Sequence, residues 1–194
     1  MAPIALIRHA PTEWNEAKRL QGHTDQPLSE AGRAAAAGWR LPAELAHFLW
    51  YASPLSRAAE TARLLGLACA TEPAVIEMHW GAWEGHTLDE LKTKYGKDTV
   101  TGRTKLGIDF RPHDGESPRE VRVRVHAWLK RRAVDGVPAG AVTHLGVIRA
   151  MLSLATGWDM IGPPPAVINP ATAHLFAVDR SGEVRVERLN ISLT

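Results

Sequence analysis

Cysteine is nearly absent from this sequence, since Cys69 is the only one among 194 residues. A single cysteine excludes an intramolecular disulfide framework and a cysteine-rich zinc site, and it is typical of a reducing compartment. No window approaches the ~20 consecutive apolar residues of a transmembrane helix. The N-terminus also lacks the basic start and apolar core of a secretory signal. We therefore expect a soluble, cytoplasmic protein.

A strong excess of charge of either sign is also missing, because 23 basic residues face 21 acidic ones. Such a balance does not indicate a protein that binds nucleic acid or a membrane surface. Any affinity for an anion must then come from a local cluster of basic groups. We expect a small-molecule partner, no nucleic acid and no membrane, and we leave a homodimer open.

Several catalytic motifs are absent. The sequence has no G-x-x-x-x-G-K-[ST] loop for nucleotide phosphates and no G-x-S-x-G turn of a serine hydrolase. Cys69 has no arginine at the position that a cysteine-based phosphatase loop requires. No H-E-x-x-H or other closely spaced ligand set appears. His9 and His144 could together hold a cation, but the adjacent Arg8 would repel it, so we expect no metal.

What the sequence does contain is an alternation of strand and helix patterns. The strand candidates are residues 3–7, 47–52, 71–76, 139–143, 173–178 and 183–189. The helix candidates are residues 31–40 with Ser29 as N-cap, 56–66, 87–95, 117–132 with a Ser117/Glu120 capping box, and 147–156. We expect one domain over residues 1–194, a three-layer α/β/α sandwich with a mainly parallel central sheet. Residues 96–115 have a weak pattern and predict a short, irregular, lid-like excursion.

Charged and imidazole side chains follow four of the predicted strands. Arg8 and His9 come after the first strand, Arg57 after the second, Glu77 after the third and His144 after the fourth. The carboxyl ends of parallel strands meet at one edge of a sheet, which is where such folds bind ligands. We therefore expect these five side chains to form one site.

That combination of groups suits phosphoryl chemistry. Arginine offers a planar fork that matches phosphate oxygens. A neutral histidine can carry a phosphoryl group on a ring nitrogen, and nearby arginines favour the neutral form. A carboxyl group can protonate the leaving oxygen and then activate water. The chemistry is allowed by these residues but not required by them.

Five motifs, in order along nearly the whole chain, resemble the histidine phosphatase superfamily, the phosphoglycerate-mutase-like proteins. They are LIRHAPTEWN at 6–15 continued by GHTDQPLSEAG at 22–32, SPLSRAAETA at 53–62, IE with GAWEG at 76–85, GES at 115–117, and THLGVIR at 143–149. The general pattern is similar to the α-ribazole-phosphate phosphatases and equally to broad sugar-phosphate phosphatases. The sequence therefore does not select one metabolite.

The resemblance implies a phosphomonoester hydrolase that forms a phosphohistidine on His9 without a metal or other cofactor. It implies that Glu77 is first the proton donor and later the base. The groups that it places on the phosphate or substrate are Arg8, Asn15, Gln21, Gly22, Arg57, His144 and the backbone N–H of Leu145. Further candidates for substrate contacts are His23, Trp80, Trp83, His86, Arg103, Lys105 and Arg111.

Two positions depart from the family pattern. Ala10 stands where the family usually has a glycine, and Leu145 stands at the second position of its H-G-G motif. Pro11 favours extended dihedral angles at Ala10, whereas a positive φ there would strain the loop. Both departures concern the positioning of groups rather than the reaction class.

Three alternatives stay open at this point. Glu84 is the rival of Glu77 for the proton donor, although we expect it to be a structural hydrogen-bonding partner. A phosphoglycerate mutase is the rival of a phosphatase, but the 96–115 excursion is shorter than the insertions of mutases that resemble this family. A non-catalytic module that binds phosphorylated ligands is the third possibility.

Overall fold

A six-stranded mixed sheet lies at the centre of the structure, a computed structural model that describes the backbone of residues 1–194 and every side chain except that of Arg103. The strands are β1 (Ala2–Arg8), β2 (Leu49–Ala52), β3 (Cys69–Thr71), β4 (Ala139–Thr143), β5 (Thr172–Val178) and β6 (Val184–Ser192). They are ordered β3-β2-β4-β1-β5-β6. The pairs β3–β2, β2–β4 and β4–β1 are parallel, and β5 is antiparallel to both β1 and β6.

Helices cover both faces of this sheet. They are α1 (Glu13–Glu16), α2 (Glu30–Gly38), α3 (Ser56–Leu64), α4 (Leu88–Tyr95), α5 (Lys97–Leu106), α6 (Pro118–Asp135) and α7 (Leu145–Thr156). Ile4 and Leu6 of β1 belong to the core under α6 and α7, whereas Ala5 and Ile7 belong to the core under α2 and α3. Because successive side chains of a strand point to opposite faces, a strand covered on both sides is continuously apolar. The predicted α/β/α sandwich is confirmed.

The predicted helix caps are present. Ser29 Oγ accepts a hydrogen bond from the N–H of Gly32 at 3.0 Å, and α2 begins at the next residue after Ser29. Ser117 and Glu120 form the expected capping box, in which the Ser117 N–H donates to Glu120 Oε2 at 2.8 Å. A side chain that accepts from an unpaired N–H of the first turn sets where a helix starts. These starts therefore follow from local sequence.

Two predictions about secondary structure are wrong. The third strand was expected over residues 71–76, but β3 ends at Thr71 and Pro73–Val75 forms a 3₁₀ turn. The strand does not continue because Pro73 has no N–H to donate to a strand ladder. The excursion at 96–115 is not irregular, since it contains α5 and a 3₁₀ turn at Gly107–Asp109. The sequence of α5 is mostly polar, so it lacks the spacing of apolar residues by which a helix is recognised.

One small apolar cluster holds this excursion against the rest of the molecule. It consists of Trp83, Leu91, Val100 and Phe110. Val100 is the residue of α5 in this cluster, so the helix is attached by tertiary contacts rather than by an apolar stripe of its own. Among the described residues, no helix has both the length and the hydropathy needed to cross a bilayer.

Candidate active site

The ends of two neighbouring strands bring His9 and His144 together. Arg8 is the last residue of β1 and is in register with Thr143, the last residue of the parallel strand β4. The N–H of His9 donates to the carbonyl of Thr143 at 2.9 Å. His144 follows β4 directly and is the N-cap residue of α7. The two imidazole centroids consequently lie 5.1 Å apart.

His9 is buried and has a defined tautomer. Its Nδ1 lies 2.7 Å from the carbonyl oxygen of Ala10. Because a carbonyl can only accept, Nδ1 must carry the proton, which leaves the lone pair on Nε2. Burial, reinforced by the charges of Arg57 and Arg8, lowers the pKa of His9 to about 3. At neutral pH the ring is therefore uncharged.

Two arginines lie next to His9, and their surroundings differ. Arg57, the second residue of α3, is fully buried and donates to the carbonyl of Gly22 at 2.8 Å and that of Thr24 at 3.3 Å. Its Nε has no hydrogen-bond partner among the described residues. Burial lowers the pKa of Arg8, against the attraction of Glu77 and together with the repulsion of Arg149. Both guanidinium groups still carry their charge at neutral pH.

His144 is the second imidazole of the site. Its side chain is fully buried, and its Nε2 lies 2.7 Å from Ser53 Oγ. Its Nδ1 is buried without a partner among the residues that the structure describes. Burial, followed by the influence of His9 and Arg57, places the pKa of His144 well below its ordinary value.

Glu77 is close to these groups although it does not directly follow a strand. It comes after the Pro73–Val75 turn, and its Oε1 and Oε2 accept hydrogen bonds from the N–H groups of Met78 at 2.8 Å and Gly146 at 3.3 Å. Burial raises the pKa of Glu77 despite these bonds and the nearby positive charge of Arg57. The carboxyl group can therefore hold a proton that a solvated glutamate would lose.

Gly146 permits this close approach. A Cβ atom at Gly146 would lie 2.2 Å from Glu77 Oε1, a distance that no side chain could occupy without moving the carboxyl group. The residue is helical and its φ is not positive. The glycine is thus required by space, not by backbone conformation.

Three side chains that the sequence analysis did not select hold the backbone of the Glu77 segment. Thr143 Oγ1 donates to the carbonyl of Val75 at 2.6 Å. Arg124 of α6 donates to the carbonyls of Ala74 at 2.7 Å and Glu77 at 3.1 Å.

The third side chain is Glu116, which pairs with Arg124 (Nε–Oε1 distance 2.8 Å). Arg124 lies on the same helical face as the buried Val121, Val125 and Trp128. An arginine on an apolar face is the signal that could have found it.

Glu84 has a different environment. Its Oε1 accepts from the N–H groups of His23 at 2.9 Å and Trp80 at 3.1 Å, and its Oε2 accepts from the N–H of Thr24 at 2.7 Å. Burial alone would raise the pKa of Glu84, but these hydrogen bonds and that of the Thr24 hydroxyl outweigh it, so the pKa is lowered. Glu84 is held ionised and ties the loop after Gly22 to the segment of Trp80.

The predicted substrate contacts fall into different surroundings. Gln21 is buried, and neither its Oε1 nor its Nε2 has a partner among the described residues. Gly22 lies against Glu84, where a Cβ would come within 1.9 Å of Oε1. Asn15 Oδ1 accepts from the N–H of Thr12 at 3.1 Å in a capping box. Leu145 is the first residue of α7, so its N–H has no acceptor within the helix.

The loop after His9 is free of the strain that a positive φ would cause. Ala10 is not among the residues with positive φ, and its N–H donates to Thr61 Oγ1 at 3.0 Å. Its methyl group is fully buried in the core under α2 and α3. Alanine therefore fits where the family usually has glycine.

Most of the outer contact candidates are engaged elsewhere. Arg111 pairs with Glu120, and His86 Nδ1 lies 3.1 Å from the carbonyl of Glu84. His23, in contrast, stacks on His79 with a centroid distance of 4.6 Å, and its Nε2 lies 2.9 Å from the carbonyl oxygen of Glu77. Trp83 is buried in the small apolar cluster and Lys105 is exposed. Arg103 lies outside the described side chains. Of the candidates whose side chains are described, only Trp80 lines the cavity beside Glu77.

Together these groups meet the requirements of phosphoryl transfer to a side chain. A neutral imidazole nitrogen can act as a nucleophile, two guanidinium groups can balance the charge of a phosphate, and a protonated carboxyl group can supply a leaving oxygen with hydrogen. Among the described side chains, no group of three or more His, Cys, Asp or Glu is arranged to hold a metal ion.

Comparisons with known proteins indicate one family. The family model of the histidine phosphatase superfamily (branch 1) matches residues 4–192, a range that includes the whole site. The 2,3-bisphosphoglycerate-dependent phosphoglycerate mutase 2 of Gloeobacter violaceus is 33% identical over 168 residues, covering 78% of this chain and 74% of that protein.

Solved structures are similar over nearly their full length. TTHB049 of Thermus thermophilus has a TM-score of 0.72 and 30% identity, covering 97% of this chain and 99% of that chain. A candidate alpha-ribazole-5'-P phosphatase of Escherichia coli has a TM-score of 0.81 with 22% identity, covering 100% and 98% of the two chains. The second likeness, at this low identity, shows the fold alone.

Proposed function

The chain belongs to the histidine phosphatase superfamily, and from this premise we propose that it is a phosphomonoester hydrolase that forms a phosphohistidine on His9. One observation carries the proposal. The Nδ1 proton of His9 is directed to the carbonyl of Ala10, so a neutral Nε2 is left on a ring that the charges of Arg57 and Arg8 reach. The same two arginines act on the carboxyl group of Glu77, whose pKa is raised by burial.

In the first step, His9 Nε2 forms a bond to phosphorus while the bond from phosphorus to the ester oxygen breaks. The electron pair of that bond goes to the leaving oxygen, which takes the proton of Glu77. The positive charges of Arg8 and Arg57 balance the negative charge of the transferring group, together with the N–H of Leu145 and the unpartnered Nδ1 of His144. Fixed donors of this kind are each worth about 10²–10³-fold in rate.

In the second step, water replaces the alcohol. Glu77, now ionised, takes a proton from the water molecule. The oxygen of that water forms a bond to phosphorus, and the bond between phosphorus and Nε2 breaks. The electron pair returns to Nε2, so His9 is neutral again and inorganic phosphate is released. No metal takes part in either step.

A mutase is the second candidate, since the Gloeobacter violaceus relative bears that name. A mutase must shield its phosphoenzyme from water while the intermediate reorients. Here the cover between α4 and α6 consists of α5 and one 3₁₀ turn. This short cover supports hydrolysis over transfer back to a bound acceptor.

The test is to supply 3-phosphoglycerate and a generic aryl phosphate in the presence of a chelator. We expect release of inorganic phosphate. Accumulation of 2-phosphoglycerate without free phosphate would establish a mutase instead, and complete dependence on an added divalent metal would contradict the mechanism.

Trapping the intermediate tests the role of His9. Rapid quenching with a radiolabelled phosphomonoester should leave acid-labile label on the protein, and His9→Ala should abolish it. His47→Ala is the matched control, because His47 is exposed, and it should label normally. Binding of the phosphomonoester without labelling or turnover would indicate a non-catalytic module.

A further inference from the structure

An apolar pocket of ≈ 220 Å³ lies beside Glu77, between α5, α6, α7 and the loop that follows α7. Its walls consist mainly of side chains without charge or hydrogen-bonding capacity. They include Met78, Phe110, Pro118, Val121, Met160 and Pro164. Trp80 and Trp158 also line it.

Two of the lining residues connect this pocket to the proposed chemistry. Met78 and Gly146 both border the pocket, and their N–H groups are the ones that hold the carboxyl group of Glu77. The group that protonates a leaving oxygen must lie beside that oxygen. The alcohol part of the substrate therefore projects past Glu77, toward the pocket.

Arg149 is the only charged residue among the described residues that line the pocket. It is exposed, and none of the ion pairs among the described side chains includes it. Its charge is near enough to Arg8 to lower the pKa of that guanidinium. A substituent that meets Arg149 would thus sit in the same pocket as the rest of the alcohol.

From this arrangement we propose that the substrate is a phosphomonoester of an apolar, ring-sized alcohol that carries an anionic substituent. The proposal rests on the proposed function. An apolar cavity of about 150 Å³ accommodates benzene, so ≈ 220 Å³ holds one ring with a substituent. The hydroxyl groups of an open polyol or a sugar would lose their water against these walls without gaining partners.

The anionic substituent is tested with 4-carboxybenzyl phosphate and benzyl phosphate. The methylene group insulates the leaving oxygen from the carboxylate, so the two substrates differ mainly in the contact with Arg149. We expect the wild-type protein to prefer the carboxylated substrate in kcat/KM. Arg149→Gln should reduce that preference about 10- to 100-fold, the usual value of a hydrogen bond to a charged group.

Arg180→Gln is the matched control, because Arg180 is an exposed arginine outside the pocket, and it should keep the wild-type preference. An unchanged preference in Arg149→Gln, or no preference in the wild type, would overturn the role of Arg149.

The apolar pocket is tested by comparing benzyl phosphate with glycerol 3-phosphate, both esters of alkyl alcohols. Thr104 is an exposed residue of α5 that lines the pocket, so Thr104→Trp should fill it without disturbing the core. We expect a higher KM for benzyl phosphate, with little change for glycerol 3-phosphate. Leu106→Trp, which adds the same ring outside the pocket, should behave as wild type.

Labelling of His9 distinguishes a failure of the proposed function from a failure of the pocket assignment. If neither substrate transfers a phosphoryl group to His9, the proposed function itself is wrong. If both substrates label His9 but glycerol 3-phosphate is preferred, or if Thr104→Trp leaves the KM for benzyl phosphate unchanged, only the assignment of the pocket is wrong.

Discussion

The floor of the site and its wall come from different parts of the molecule. The floor comprises Arg8, His9, Arg57 and His144. It is polar and carries the positive charges of the two arginines, and all of its residues are buried except Arg8, which is partly buried. The wall is the apolar pocket lining contributed by α5, α6, α7 and the loop after α7. Glu77 lies at their boundary. The contrast suggests that the floor carries out the phosphoryl transfer, whereas the wall determines which alcohol part of the substrate is bound.

The sheet itself positions the floor. Parallel pairing puts the ends of β1 and β4 in register, so the residues that follow them lie side by side whatever covers the site. The wall has no such constraint, because its position depends on how the excursion packs through the small apolar cluster. Changes in the floor should therefore affect every substrate, and changes in the wall only some.

The largest expected loss of activity is that of a variant of Glu77, at the boundary between floor and wall. Glu77→Gln should lower kcat/KM for alkyl phosphates by about 10²–10⁴-fold, the usual range of general acid catalysis. The kcat/KM for p-nitrophenyl phosphate should fall far less, because nitrophenolate departs without a proton. Steady-state kinetics on both substrates measures the difference.

Glu84→Gln is the control for that experiment. It removes a carboxylate that accepts from His23, Thr24 and Trp80, so it should lower the Tm and affect both substrates alike. If the leaving-group dependence followed Glu84 instead, the proton donor would have been assigned to the wrong residue.

A floor variant should instead affect all substrates equally. Arg8→Met should reduce turnover of alkyl and aryl phosphates alike, by about 10²–10³-fold. The Tm should change little, because Arg8 is only partly buried. Arg63→Met, at an exposed arginine of α3, is the control. Wild-type turnover in Arg8→Met would exclude a role for the guanidinium on the phosphate.

Gly146→Ala should displace the carboxyl group of Glu77 and leave the floor and the wall unchanged. The new methyl group would lie 2.2 Å from Glu77 Oε1, so the carboxyl group must shift, and misplacement of about 1 Å costs up to ~10²-fold. We expect the alkyl-to-aryl ratio of kcat/KM to fall about 10- to 100-fold while the fold is kept. Gly38→Ala, where a Cβ meets nothing within 4 Å, should leave the ratio intact.

The smallest expected effect is on pH dependence. Burial raises the pKa of Glu77, so the proton is retained above the ordinary range of glutamate and is lost as the pH rises through the raised pKa. The alkyl-to-aryl ratio should consequently decline toward alkaline pH by several-fold. Both esters are fully dianionic at alkaline pH, so the ionisation of the phosphate does not change the ratio in that range.

In Glu77→Gln the same ratio should be independent of pH. His9 should contribute no change near neutrality, since its pKa is about 3. A ratio that rises with pH in the wild type would contradict the role of Glu77 as the acid.

Much of the fold follows from local sequence. The period-two and continuous apolar patterns predicted β1 and the tail hairpin, and the Ser29 and Ser117 caps predicted where α2 and α6 begin. The errors lie where local signals are weak. Pro73 ends the strand pattern that seemed to lead to Glu77, and α5 has few apolar residues to reveal its period.

The sequence alone determined five of the six strands and the groups that follow β1 and β4, because side-chain period and capping are properties of neighbouring residues. Only the tertiary structure decided which carboxyl group can hold a proton. Glu77 and Glu84 share one segment, yet burial dominates the first and hydrogen bonds the second. Gly146, which makes room for Glu77 and donates to it, is 69 residues away. The free energy of a buried charge depends on such distant donors and on desolvation, and neither is encoded locally.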